Sequence, residues 1–247
     1  MTLLNILSKA CQYGLFLFFL TGCSSLYIPP SKSIPLFEKK GEALLEAGLS
    51  TNSAHLNGSY AFSEKYALIA NGNVSYTAIA GRKLLEDDLT YFTGGDIPHY
   101  AFGAGIGRYN LLPSSDRRLE VFGGAAYGKT LESPNPHYLQ GFLQVNIGKR
   151  RRYLETGWAF RSAYSVFHGM DSFWSEKKNE YIIKNHQVFH LEPMFVVRVG
   201  GQHVKWFARI GTNLTFPLSS NSFINANGPY DRGYTILHFS TGVSYRF

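Results

Sequence analysis

A closed antiparallel β-barrel of about ten transmembrane strands, an all-β architecture, is the fold class that this sequence predicts. Three observations carry the expectation. In the last thirteen residues, Thr235, Leu237, Phe239, Thr241, Val243, Tyr245 and Phe247 fall on one side. Ile236, His238, Ser240, Gly242, Ser244 and Arg246 fall on the other, which is the period of a β-strand. The composition is the second: 19 Phe, 16 Tyr and 25 Gly, with 17% charged residues, against a soluble average of about 25%. The third is the recurrence of alternating segments at hairpin spacing. A barrel hides its hydrophobicity by alternation, so a mean hydropathy of −0.12 is compatible with a membrane.

The chain begins differently. Lys9 is followed by the apolar run Tyr13-Gly-Leu-Phe-Leu-Phe-Phe-Leu20 and then by Leu20-Thr21-Gly22-Cys23. The run is too short to span a membrane as a helix and fits the apolar part of a secretory signal. Leu-x-Gly-Cys after it reads as a lipobox, so residues 1–22 are expected to be a lipoprotein signal peptide with lipidation at Cys23. Only Cys11 and Cys23 exist, and removal of the signal would leave no pair for an intrachain disulfide. Residues 23–40, rich in Ser and Pro, are expected to be a lipidated tether.

Residues 41–247 are expected to form the barrel. Ten segments alternate: about 41–50, 53–63, 66–78, 99–109, 118–129, 137–148, 152–165, 186–200, 203–216 and 234–247. In the third, Tyr66, Leu68, Ala70, Gly72, Val74 and Tyr76 face out and Asn71, Asn73 and Ser75 face in. In the ninth, Val204, Trp206, Ala208, Ile210, Thr212 and Leu214 face out, against Lys205, Arg209 and Asn213. Each segment is near the ~9–11 residues that a tilted strand needs to cross a bilayer. Short connections (Ser63 to Lys65, Asn110 to Arg117, Lys149 to Arg151, Gly201-Gln202) mostly alternate with longer ones (Ala80 to Pro98, Thr130 to Pro136, Val166 to Asn185, Pro217 to Gly233). Short periplasmic turns and longer outer loops produce that pattern. Both termini on one side require an even strand number; eight remain if Gly41 to Ser50 and one other segment do not span. Pro193 falls inside a strand and should interrupt a hydrogen-bonded ladder.

The closing segment, ending in Tyr245 and Phe247, resembles the final strand of bacterial outer-membrane β-barrels. The run Pro35-Leu36-Phe37-x-x-Lys40-Gly41-Glu42 behind a lipobox resembles a pattern in uncharacterised outer-membrane barrel proteins of Bacteroidetes-type bacteria. There it leads into the first strand. The resemblance implies a location in the outer membrane of a Gram-negative cell and brings an architecture without an established activity. The partners expected with it are outer-membrane lipids, lipopolysaccharide and the barrel-assembly machinery.

The inward positions carry the polar chemistry. Glu42, Glu46, Glu120, Glu155, Arg161, His190, Glu192, Arg198, Lys205, Arg209, His238 and Arg246 are expected to form an interior polar network. A ten-strand barrel is narrow and its side chains largely fill it. An unpaired charge there costs several kcal/mol, so opposite charges should pair across strands. Arg246 is expected beside Glu42 and Glu46 where the barrel closes. Gly103, Gly105 and Gly107 lie on one inward face and would relieve crowding.

Two hydrolase patterns are present. His238-Phe239-Ser240 resembles the His-x-Ser pair of lipid A deacylases, but its alternation turns both residues away from lipid, and no acid follows. Asp87-Asp88 with His168 and Asp171 resembles the rim acids and His-Asp pair of omptin proteases. No histidine spacing reads as a metal site; His186 and His190 would stand about 13 Å apart on a strand. No cofactor motif is present. The formal charge of +7 comes from scattered residues and carries no nucleic-acid module. The expected function is a non-enzymatic barrel for envelope integrity or for surface interaction through its outer loops. A small-solute channel and a membrane-embedded hydrolase are the alternatives. Nothing in the sequence specifies an oligomeric state.

Overall fold

The structure is a computed structural model that describes residues 31–50, 53–76, 99–110, 112, 116–131, 137–175, 180–218 and 236–247, with the backbone alone at 169–175, 180–186, 217 and 236–237. Ten strands follow the chain: β1 Ala43–Ser50, β2 Ser53–Tyr60, β3 Tyr66–Ser75, β4 His99–Arg108, β5 Arg117–Thr130, β6 His137–Arg150, β7 Leu154–Ser175, β8 Glu180–Gly200, β9 Val204–Pro217 and β10 Ile236–Arg246. Each pairs with its sequence neighbours, and β1 pairs antiparallel with β10 to close the barrel. Closure leaves no open edge, so every strand has a ladder on both sides.

The alternation read from the sequence is the wall's two faces. Tyr66, Leu68 and Ala70 are exposed while Ala67, Ile69 and Asn71 are buried. Val204, Trp206 and Ile210 point outward, and Lys205, Phe207 and Arg209 inward. Leu45, Leu56, Phe102, Leu143, Phe160 and Val243 continue the outer apolar belt. The exposed aromatics Tyr60, Tyr66, Trp158, Tyr164, Trp206 and Tyr245 lie on the same face.

The two ends of the barrel differ. At one end the connections 61–65, 109–116, 151–153 and 201–203 are short. The other end is slanted: β1 and β2 have eight residues each, whereas β7 has 22 and β8 has 21. That height corrects one expectation. Of the expected loop Val166 to Asn185, the residues up to Ser175 extend β7 and those from Glu180 begin β8, paired through Asp171↔Lys184 and Trp174↔Tyr181. The register shifts by two residues between Phe167 and Asp171, an irregularity in the ladder.

Pro193 does interrupt a ladder. On the β9 side, pairing stops at Leu191↔Leu214 and resumes at Met194↔Gly211, while on the β7 side Phe160↔Pro193 is kept. The sum of the paired numbers is unchanged across the gap, so the register survives.

The stretch expected to be a tether, residues 23–40, is described from Ser31 onward. Residues 31–38 carry no regular secondary structure, and Lys32 to Phe37 are buried inside the barrel. Gly41, at φ +85°, turns the chain from the lumen into β1, and its N–H donates to Ala61 O at 2.7 Å.

Candidate functional site

The lumen is the candidate site, and residues 31–38 stand in it as a wedge. The wedge is apolar in its lower part. Ile34, Leu36 and Phe37 are each 0% exposed. Phe37 packs with Ala61, Ala67, Ile69 and Phe122 on one wall and meets the Tyr109 ring edge-on at 5.5 Å. Ile34 and Leu36 pack on the opposite wall with Ala159, Met194, Val196 and Phe207. Gly148 and Gly157, which face each other in register, make room for them. A Cβ on Gly148 would come within 2.8 Å of both Leu36 methyls, and one on Gly157 within 3.0 Å of Ile34 Cγ2. Leu36 sits at φ +54°, a conformation that costs a non-glycine residue about 1–2 kcal/mol and persists only where its surroundings hold it.

The wedge backbone satisfies the wall's polar groups. Ser33 O accepts from Gln144 Nε2 at 2.7 Å, Ile34 O from Arg198 Nη2 at 2.8 Å, and Pro35 O from Arg246 Nη2 at 2.8 Å. Phe37 N–H donates to Glu120 Oε1 at 2.8 Å, and Asn146 Nδ2 donates to the other Glu120 oxygen at 3.0 Å. Lys32 Nζ lies 3.0 Å from Glu192 Oε2. Ser31 Oγ accepts from Arg209 Nη1 at 3.1 Å. An extended segment in a polar lumen has no ladder of its own, so these side chains supply the partners its backbone needs.

Around the wedge the charges form one network. Glu46 accepts from Arg198 Nε at 2.9 Å, and its second oxygen pairs with Arg209. Glu155 lies 3.1 Å from Lys205 Nζ, 3.1 Å from Arg246 Nη2 and 3.3 Å from Arg198 Nη1. Glu42 binds Arg150 Nη1 at 3.0 Å. Arg161 donates to Gln144 Oε1 at 2.7 Å, stacks over the Phe142 ring at 4.4 Å, and stands opposite Glu192 in register. Five acids and six bases are buried among the described residues, which keeps the interior close to neutral.

The structure places the twelve interior residues named from the sequence on the lumen side. It redistributes one contact. Arg246 reaches Glu42 at 3.7 Å, but its nearer carboxylate is Glu155, and Glu46 is held by Arg198 and Arg209 instead. The β1–β10 register explains this: Leu44 pairs with Arg246, and Glu46 with Ser244 further up the wall. Gly103, Gly105 and Gly107 do face a crowded interior, where added Cβ atoms would meet Ala126, Phe142 and Phe122.

The hydrolase patterns fare differently. His238 and Ser240 lie on the lumen side of β10, and His238 Nε2 has no hydrogen-bond partner among the described residues, so no carboxylate orients that nitrogen. Asp87, Asp88 and the Asp171 side chain lie outside the described residues, as do Cys23 and the signal segment. His168 stacks on His137 at 5.2 Å. Among the described residues, no group of three or more His, Cys, Asp or Glu could hold a metal ion.

The wedge is what sequence reasoning missed. The signal is there in part: Ile34-Pro-Leu-Phe37 is an apolar run in a segment read as a tether. The run Pro35-Leu36-Phe37-x-x-Lys40-Gly41-Glu42 forms the end of the wedge and its turn into β1. Pro35, Leu36 and Phe37 seat in the lumen, Gly41 makes the turn, and Glu42 ties the turn to Arg150.

No family model and no curated protein matches this chain. Solved barrels resemble it in fold. The outer membrane protease OmpT from Escherichia coli is 13% identical, with a TM-score of 0.46 over 84% of this chain and 93% of that one. The N-terminal β-barrel domain of Pseudomonas aeruginosa OprF is 10% identical, with a TM-score of 0.34 over 85% of this chain and 100% of that domain.

Proposed function

We propose that the protein is a sealed barrel of a Gram-negative outer membrane, serving envelope integrity or surface interaction through its tall outer hairpin rather than passage of solutes. The continuous outward belt of Leu, Val, Ile and Phe supports membrane insertion, because only lipid matches such a surface on a closed wall. The short turns then face the periplasm and the slanted end faces outward. In this reading the barrel-assembly machinery inserts the chain, and lipopolysaccharide surrounds its upper rim.

The seated wedge carries the proposal. Ile34, Leu36 and Phe37 occupy the lower lumen, with the Glu46–Arg198–Arg209 cluster beside them. Side chains and wedge together fill the bore of a ten-strand barrel. What remains for function is the rim, where β7 and β8 rise above their neighbours. The test is genetic. Deleting the gene should sensitise cells to detergent, the full chain should restore resistance, and a chain lacking residues 31–37 should leave cells leaky. Full restoration by that truncated chain would count against a sealed lumen as the working state.

A further inference from the structure

Strand alternation divides the cations at the short-turn ends of β5 and β6 into two sets. Arg118 and Arg150 turn to the lumen side, where Arg118 lies 3.1 Å from Glu38 and Arg150 lies 3.0 Å from Glu42. Arg117 and Lys149 take the other face, in the outward phase of Leu119 on β5 and of Leu139 and Leu143 on β6. They stand directly opposite each other in register, a position in which like charges repel. Asp116, in the turn before β5, pairs with Lys149. The hydrogen bond from Lys149, with the charges of Lys149, Arg117 and Arg151, holds the Asp116 carboxyl below the ordinary carboxylate range. Arg151 and Arg152 are exposed in the next turn, and Arg152 lies over the Tyr153 ring at 5.2 Å. Among the described residues, one carboxylate thus stands amid these four cations.

The same face is apolar immediately above. Leu119, Ile147 and Trp158 form one cross-strand row over Arg117 and Lys149, and Val121, Val145 and Phe160 form the next. The Trp158 and Phe160 rings stack at 6.2 Å. On β5 the outward apolar run ends again at Lys129, twelve residues from Arg117. That is about 40 Å along the strand, or about 28–33 Å of height at a tilt of ~35–45°. The hydrocarbon core of a bilayer is about 30 Å thick, so Arg117 and Lys149 lie at headgroup depth. The far wall differs. At the same ends of β9 and β10 the outward residues are Val204 and Tyr245, while Lys205 and Arg246 point into the lumen.

We propose that this patch binds an anionic glycerophospholipid of the periplasmic leaflet, with the headgroup phosphate among Arg117, Lys149 and the Arg151-Arg152 turn. The acyl chains lie along the Leu119–Ile147–Trp158 row and the row above it. The inference rests on the reading of the barrel as membrane-inserted with its short turns in the periplasm. Guanidinium groups match phosphate oxygens with paired N–H donors, and the phosphate supplies the negative charge that Asp116 alone does not balance. A zwitterionic lipid brings an ammonium or choline cation of its own into the patch, so the site discriminates by headgroup charge. Each base at such a surface favours the anionic lipid about fivefold, and salt screens the preference.

Tryptophan quenching by brominated lipids in vesicles tests the site and the membrane reading separately. One full-length chain keeps Trp158 as its sole reporter, through Trp174→Phe and Trp206→Phe. A second carries Trp158→Phe and Tyr245→Trp as well and reports on the far wall. Folding of every variant is checked by heat-modifiable gel mobility. Brominated phosphatidylglycerol should be favoured over brominated phosphatidylcholine at Trp158 by about fivefold or more, and about equally at the far-wall reporter. Arg117→Gln with Lys149→Gln should bring the Trp158 ratio down to the far-wall value, and Asp116→Asn should raise it. Equal ratios at the two reporters, or a Trp158 ratio unmoved by the paired glutamines, would overturn the proposal and leave the inserted barrel standing. Displacement of the brominated lipid more readily by lipopolysaccharide than by unbrominated phosphatidylglycerol would overturn the choice of lipid. Quenching at neither reporter by either lipid would overturn the membrane reading and the proposal with it.

Discussion

Leu36 and Gly148 are fitted to each other: a Cβ on Gly148 would lie 2.8 Å from both methyl carbons of Leu36. The same Cβ would also meet Thr156 O at 2.5 Å, so wall and wedge both have to move. Overpacking of this kind costs about 1–3 kcal/mol. Gly148→Ala should therefore destabilise the folded barrel, measured by urea unfolding in detergent micelles. Gly157→Ala should do so less, since its nearest neighbour is the Ile34 methyl at 3.0 Å.

Leu36→Ala should cost about 2–5 kcal/mol, as truncations of buried leucine do. Combined with Gly148→Ala, the cost should be smaller than the sum, because each change makes room for the other. Additive effects in the unfolding cycle would mean that the two residues do not meet.

Glu46 holds two arginines, Arg198 at 2.8 Å and Arg209, in a site with no exposure. Removing one partner of a buried pair leaves the other uncompensated, at about 3–5 kcal/mol. Glu46→Ala should lower the unfolding midpoint sharply. Asp116→Ala, which breaks the exposed pair with Lys149, should leave the midpoint where it is.

The hairpin above the other strands rests on its own ladder. Removing residues 170–184 and rejoining β7 to β8 through a short turn should leave the barrel's thermal transition unchanged while abolishing any ligand or phage adsorption that depends on the outer face. A lower transition would mean that the hairpin helps to hold the barrel.

The wall was legible because its chemistry is local. Lipid on one side and a packed lumen on the other impose a period of two, and residues such as Trp206 and Lys205 reveal their faces two at a time. Legibility stops at the upper hairpin, beyond the register shift between Phe167 and Asp171, which reads as a loop in the sequence. The interior charges were legible as a set, but their pairing was not, since register and side-chain reach decide whether Arg246 finds Glu46 or Glu155. The wedge was the hardest part. It has no periodicity, and its partners are far away in sequence: 83 residues from Phe37 to Glu120 and 211 from Pro35 to Arg246.

Sealing of the lumen by residues 31–37 is tested most directly by conductance in a planar lipid bilayer. The full chain should insert without discrete current steps across the voltage range, and the chain lacking residues 31–37 should give them. Steps of equal size from both chains would contradict the account.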